Sequence, residues 1–359
     1  MQRDAPPDLA ELTLADLEQW VASAGLPRYR AAQIFQWVWR RGATSFDAMS
    51  DLPRELRARL STELAFSTPT VVRDELSVDG TRKLVLRFAD RREIECVYIP
   101  DTPSQTFCVS TQVGCAMGCA FCLTGRMGLV RHLTAGEIAG QVRVLATATG
   151  LLDRAFNIVL MGMGEPLHNY DNVARALRVL HDSRGLGLSR RRMTVSTAGL
   201  VPQIRQLCRD DLPCKLAVSL NAVHDELRSR LMPVNRKWPL DELFAACKEW
   251  TEATGQRVTF EYILMEGVND RPEDIRALRA RLSRLPCKLN LIYYNPTERG
   301  FQSSGEAVYQ RFFQELQTAP FAVTLGQNMG TDIDAACGQL LVKEERAGGA
   351  GPAAVEAAA

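Results

Sequence analysis

The residues best suited to chemistry are three cysteines in the stretch GCAMGCAFCLTGRMG, from Gly114 to Gly128, where Cys115, Cys119 and Cys122 follow the order CxxxCxxC. Three thiolates ligate three irons of a [4Fe-4S] cube and leave the fourth open, whereas a cluster that only carries electrons is normally held by four cysteines. The chemistry most often hung on such an open iron is cleavage of S-adenosylmethionine (SAM). Other readings stand beside this one. A zinc site completed by His132 is one, but structural zinc favours paired CxxC units and four protein ligands. Inert buried thiols have no reason to cluster at this spacing among Gly114, Gly118 and Gly125. A disulfide framework suits a short secreted chain, and this one has 359 residues and no secretory signal.

Further polar groups fall where strand-like segments end. MGMGEP places Gly164 and Glu165 after one such segment, the glycines allowing close backbone approach to a ligand and Glu165 offering a carboxylate to a cationic amine. Ser196 ends the next, and Ser219, Leu220 and Asn221 the one after, with short polar groups able to bind a carboxylate or ribose, or to cap the following helix. The setting of the cysteines, CVSTQVGCAMGCAFCLTGRMG, together with TDIDAACGQLL near the other end, resembles the RlmN-like branch of the radical SAM enzymes, which methylates adenine in RNA. The similarity runs from about Tyr29 to Leu340.

That resemblance implies roles residue by residue. Cys115, Cys119 and Cys122 hold one [4Fe-4S] cluster, and Gly164, Glu165, Ser196, Ser219, Leu220, Asn221 and Asn295 bind SAM. Many members carry histidine where Asn221 stands; asparagine keeps a donor and an acceptor but loses the titratable ring. The C2 carbon of adenine is electron-poor and does not displace a methyl group from a sulfonium. The family instead uses two SAM molecules per turnover and a protein thiol. Cys337 takes a methyl group from the first; a 5′-deoxyadenosyl radical from the second abstracts hydrogen from it, and the carbon radical adds to C2. Glu95 then takes the C2 proton and Cys108 attacks the Cys337 sulfur, freeing methylated RNA and leaving a disulfide. A flavodoxin- or thioredoxin-like reductant is implied, with substrates in 23S rRNA at the peptidyl-transferase centre and the adenosine 3′ to the anticodon of certain tRNAs. Without the resemblance, Cys337 reads as a buried helical cysteine, Cys108 as a core thiol and Glu95 as a solvated strand residue. One stretch departs: Gly326-Gln327-Asn328-Met329-Gly330 stands where the family usually has RxxRG.

The elements that position these residues follow from periodicity. Residues 1–65 read as helices, with Leu14, Leu17 and Val21 and then Ile34, Phe35 and Val38 on apolar faces. They form a helical accessory domain that the resemblance assigns to RNA docking. Trp20, Trp37 and Trp39 are read as core in preference to base-stacking residues. Residues 66–105 change to period two, VVRDELSV, RKLVLRF and REIECVYIP, and predict a small antiparallel β extension. Residues 106–346 alternate strand and helix, with strands at 107–111, 156–162, 192–197, 215–220, 257–264 and 288–294 and a short seventh at 321–325. The expected class is α/β, a partial (βα)6 radical SAM barrel, in which chemistry gathers at the C-terminal ends of the strands. The tail 347–359, small and low in complexity, reads as disordered.

Composition, 46% hydrophobic and 24% charged with no membrane-length apolar run, predicts a soluble cytoplasmic protein whose ten cysteines are reduced, and a monomer is expected, though composition does not fix the oligomeric state. A net charge of +1 gives no global sign of a nucleic-acid partner. Local arginine clusters, Arg28 to Arg59 and Arg190 to Arg192, suit either phosphates or a solvated helical face. The rival functions are a Cfr-like enzyme methylating C8 of the same rRNA adenosine, a non-catalytic RNA-binding protein with a structural metal, and a radical SAM enzyme that activates another protein.

Overall fold

The computed structural model describes residues 6–100, 104–297 and 300–342, so the predicted tail lies outside the described residues. Three helices open the chain, α1 (Leu14–Ser23), α2 (Tyr29–Trp39) and α3 (Arg54–Glu63). Thr13 and Asp16 form a capping box that satisfies the first turn of α1. Their apolar faces close on a core containing Leu17, Val21, Ile34, Phe35, Val38 and Leu60. Trp39 belongs to that core at 1% exposure; Trp37 lies at its edge, donating to Asp51 at 2.5 Å with Arg41 stacked over its ring.

Strands β1 (Thr70–Leu76), β2 (Arg82–Arg87) and β3 (Glu93–Ile99) form an antiparallel meander. β3 pairs antiparallel with β4 (Thr106–Cys108), and β4 begins the parallel sheet, so one ten-stranded sheet runs through both parts. The ladder continues past Cys108, since Val109 N–H donates to Val159 and Gly162 N–H to Val109.

Beyond β4 come the hairpin β5 (Gln112–Cys115) and β6 (Gly128–His132), then α4 (Ala135–Ala148), β7 (Asn157–Leu160), α5 (Tyr170–His181), β8 (Met193–Thr197), α6 (Val201–Arg209) and β9 (Lys215–Ser219). The remainder is α7 (Asp225–Leu231), α8 (Leu240–Thr254), β10 (Val258–Leu264), α9 (Pro272–Leu282), β11 (Cys287–Tyr293), α10 (Glu306–Leu316) and β12 (Ala322–Leu325). The parallel order β4-β7-β8-β9-β10-β11-β12 is the partial barrel with helices outside. Strand alternation buries Phe260, Tyr262 and Leu264 among the helices and turns Glu261 and its register partner Asn290 to the lumen.

The accessory helices are bonded to the barrel. Glu11 accepts from Gly136 N–H and the Thr134 hydroxyl at the start of α4, and Arg175 on α5 donates to the Glu11 carbonyl and to Asp16. Arg143 on α4, 1% exposed, donates to the Ala43 and Ser67 carbonyls and the Thr68 hydroxyl, its guanidinium 5.7 Å from the Trp39 ring. No helix among the described residues is long and apolar enough to cross a membrane.

Candidate active site

The three cysteines occupy the end of β5 and the turn after it, at the C-terminal end of the barrel. Gly114 makes that turn possible: its φ is +74°, and a Cβ there would lie 1.9 Å from the Gly128 carbonyl oxygen. Gly125 packs on the backbone of Cys119, and Phe121 anchors the loop in a small apolar cluster with Ala198, Ala222, Leu231, Met232 and Tyr294. Burial pushes the Cys115 thiol up to about 12 and Cys119 well above its ordinary value; neighbouring cysteines and Glu165 add to both shifts, and Arg228 opposes that of Cys119. Among the described residues no three His, Cys, Asp or Glu side chains close around a single ion as zinc would require. Three cysteine thiols on one glycine-framed loop are the donor set of a [4Fe-4S] cluster with one open iron.

Glu165 lies beside them, 3% exposed. Its carboxylate accepts from Leu167 N–H at 3.0 Å and Ala198 N–H at 2.7 Å, and burial raises its pKa to about 7 against those bonds. The two glycines of MGMGEP also have a packing role. A Cβ on Gly162 would meet Ser110 Oγ at 2.7 Å, and one on Gly164 would meet Gln112 Cβ at 2.6 Å, so both are required by packing between neighbouring strand ends. Gln112 in turn accepts Glu165 N–H at 2.8 Å and reaches His132 Nδ1 at 2.9 Å.

Ser196 and Ser219 lie at the C-terminal ends of β8 and β9. The turn after β8 is held by Thr197, whose hydroxyl accepts from Gly199 and Leu200 N–H, and not by Ser196. Asn221 takes a left-handed backbone, φ +54°, which asparagine tolerates, and its side chain accepts from Ile263 N–H at 3.0 Å. It ties β9 to β10 as well as standing at the rim. Arg228 on α7, fully buried, was not found by sequence pattern. It donates to the carbonyls of Ala198, Ser219 and Leu220 and to Asn235, stitching these strand ends together; burial lowers its pKa to about 10. In the sequence DELRSRL it reads as a solvated helical residue.

The two cysteines far apart in sequence meet in a lumen cavity of about 550 Å³ lined by Cys108, Cys337, Asn295, Asn290, Lys288 and Met161 among others. Burial and the neighbouring Cys337 thiol raise Cys108; burial, then Glu261 and Cys122, raise Cys337 to about 11. Cys337 is exposed as a residue, but its side chain belongs to the cavity wall. It sits on a strap, residues 326–342, that crosses from β12 to the turn between β1 and β2. Gly330 N–H donates to Asp79, Asp332 accepts from Ser77 and Val78, and the Gly338 and Leu340 carbonyls accept from Leu123 N–H and Thr124 in the cysteine loop. Gln327, Asn328 and Met329, where the chain departs from the RxxRG pattern, line the same cavity.

Glu95 is not brought into that wall. It is 2% exposed on β3, its carboxylate accepting Leu341 N–H at 2.9 Å and lying 3.4 Å from Lys83 Nζ, one residue behind the cavity-lining Leu340. Glu261, which the sequence did not single out, stands behind the cavity-lining Asn290: it accepts from Asn290 Nδ2 at 2.7 Å, Asn290 accepts from Thr324, and burial raises its pKa to about 7. Of the arginine clusters, Arg28, Arg41 and Arg59 pair with Glu18, Asp51 and Glu63, and Arg190 with Asp211, the pattern of a solvated face.

Comparison with known proteins places this geometry. The Radical SAM superfamily profile matches residues 109–278, and that of the ribosomal RNA large subunit methyltransferase N-terminal domain matches residues 7–65. The chain is 46% identical over 348 residues to the dual-specificity RNA methyltransferase RlmN of Rhodospirillum rubrum, covering 94% of this chain and 81% of that one. It is 44% identical to the protein of the same name from Syntrophobacter fumaroxidans, covering 94% and 99%. The crystal structure of a radical SAM methyltransferase from Sphaerobacter thermophilus superposes with a TM-score of 0.89 at 47% identity, covering 93% of this chain and 99% of that one.

Proposed function

Because this chain belongs to the RlmN family of RNA methyltransferases within the radical SAM superfamily, we propose that it methylates C2 of an adenosine in 23S rRNA and in tRNA through a methyl group carried on Cys337. The observation that carries the Cys337 step is the meeting of Cys108 and Cys337 in one cavity next to the three-cysteine loop.

Cys115, Cys119 and Cys122 would hold the [4Fe-4S] cluster, which when bound supplies the electron that cleaves SAM reductively. Glu165, fixed by two backbone N–H groups, accepts the SAM ammonium, and the rim formed by Gly164, Ser196, Ser219, Leu220, Asn221 and Asn295 holds the rest of the molecule. Cys337 takes a methyl group from one SAM by displacement at carbon. After the second SAM has activated that methyl group and the carbon has joined C2, Cys337 links protein to RNA covalently. Glu95 takes the proton from C2 once the strap has moved to admit the base. Cys108 then attacks the Cys337 sulfur: the sulfur–sulfur bond forms, the sulfur–carbon bond breaks, the carbon is protonated to methyl, and the unpaired electron left by radical addition would return to the [4Fe-4S] cluster that supplied it.

The helices of residues 7–65 would dock a folded RNA whose target base has left its stack, and a dithiol or flavodoxin-like donor restores the two thiols. The enzyme works as a cytoplasmic monomer in this reading, where reduced thiols persist. The test is anaerobic reconstitution with SAM, mass spectrometry of the Cys337 peptide, and mapping of the methylated carbon in the RNA product. An added methyl group on Cys337, absent in Cys337→Ala, and 2-methyladenosine in the product are expected. A Cys337 peptide that is never methylated, or methylation at C8, refutes the assignment.

A further inference from the structure

Lys83 on β2 is 5% exposed and has no part in the steps above. Its ammonium has three N–H groups to place. The structure gives it partners on three elements: ion pairs with Glu75 on β1 at 3.0 Å and Glu95 on β3 at 3.4 Å, and a hydrogen bond to the Ile333 carbonyl of the strap at 2.5 Å. From its other side Glu95 accepts the Leu341 N–H. The strap thus grips this ion pair at residues 333 and 341, with Cys337 between the two grips.

We infer that Lys83 is a positioning residue for the proton transfer from C2: it keeps Glu95 ionised in a buried site and couples that charge to the segment carrying Cys337. The inference rests on the reading of Glu95 given above. Burial disfavours a carboxylate, and here it raises the Glu95 pKa against Lys83 and the Leu341 N–H, with Glu75 adding to the rise. Those three are the groups that face it, from β2, the strap and β1. When the strap withdraws to bring Cys337 to the RNA, the Leu341 N–H leaves Glu95 and the Ile333 carbonyl leaves Lys83. The lysine is then the remaining stabiliser of the carboxylate. In the transfer the C2–H bond breaks, its electron pair stays with the purine, and an O–H bond forms on Glu95; a carboxyl group already protonated cannot do this.

The test compares wild type, Lys83→Met and Lys83→Arg, each reconstituted anaerobically with iron and sulfide, in single turnover with a short RNA carrying the substrate adenosine. The quantities read are 5′-deoxyadenosine, the RNA adduct on Cys337 and free methylated RNA. Lys83→Met is expected to form 5′-deoxyadenosine and adduct, to release methylated RNA roughly 10-fold more slowly at neutral pH, and to recover as pH rises. Lys83→Arg keeps the wild-type profile. Independently of turnover, a carbon-13 carboxyl titration of protein without SAM or RNA, its Glu95 signal assigned by loss in Glu95→Gln, should lie at higher pH in Lys83→Met. If Lys83→Met does not retain iron, Lys83→Gln, which has a donor but no charge, answers the same question. Unchanged release, an unshifted titration, or a joint fall of 5′-deoxyadenosine and release with no alkaline recovery overturns the inference and leaves Lys83 as an anchor of the strap. A Cys108→Ala protein that forms no RNA adduct on Cys337 refutes the parent mechanism instead.

Discussion

A methyl group on Gly114 would collide with the Gly128 carbonyl, and neither strand of the cysteine hairpin can retreat without breaking the β5–β6 ladder. Gly114→Ala is therefore expected to cost more than about 3 kcal/mol locally. Iron and sulfide per chain after reconstitution should fall far below wild type, while the far-ultraviolet circular dichroism stays close to it. Glu261 presents the opposite case, a residue whose burial costs stability. Its folded-state pKa of about 7 exceeds the ordinary value of 4.5, so between those limits the folded chain binds the extra proton and stability falls as pH rises. Glu261→Gln keeps the Asn290 contact and removes the titration. Urea unfolding should show the variant gaining on wild type from pH 5 to pH 8 by up to roughly 3 kcal/mol; an equal gap at both pH values would show that Glu261 is not the group responsible.

Among the elements, α7 is short, and its value to the site lies in Arg228, whose guanidinium spends its donors on the ends of β8 and β9 and on Asn235. Arg228→Met leaves those carbonyls buried without a donor, at an expected cost of about 3 kcal/mol or more. SAM affinity, read by calorimetry on the reconstituted protein, should drop at least tenfold with no contact to SAM removed. The strands themselves were legible: period-two runs predicted β1 to β3, and short apolar runs alternating with helix-like segments predicted the parallel set to within a few residues. That β3 would continue into the barrel sheet was not, because the pairing of Val97 with Cys108 depends on a register no local pattern encodes. The same limit hid Arg228, Gln112 and Lys83. Lys83 finds its strap carbonyl 250 residues away, and a lysine on an alternating strand gives no sign of such a partner. Glu95, Cys108 and Cys337 were reached only through resemblance, since each reads alone as an ordinary strand or helix residue.

At the scale of the whole molecule, Arg143 fastens the accessory helices to the barrel with three hydrogen bonds and two aromatic faces, those of Trp39 and Phe66. Burial lowers its pKa to about 10, which leaves it charged at neutral pH, so its loss strands two carbonyl groups and a hydroxyl in the interface. Arg143→Met should loosen residues 7–65 without dissolving the barrel. Limited proteolysis would cut that segment first, RNA affinity would fall, and Cys337 would still be methylated by SAM. A variant that lost iron and RNA binding together would instead show that the two parts stand or fall as one.

The ten-stranded sheet does not close on itself, and the strap lies across the opening. The Cys337 sulfur is thus carried on a part of the chamber wall that no strand ladder secures. Under the proposed mechanism, letting a nucleobase in and carrying the sulfur out to meet it would be a single displacement, and a chamber still shut would present its thiol to nothing but the cofactor.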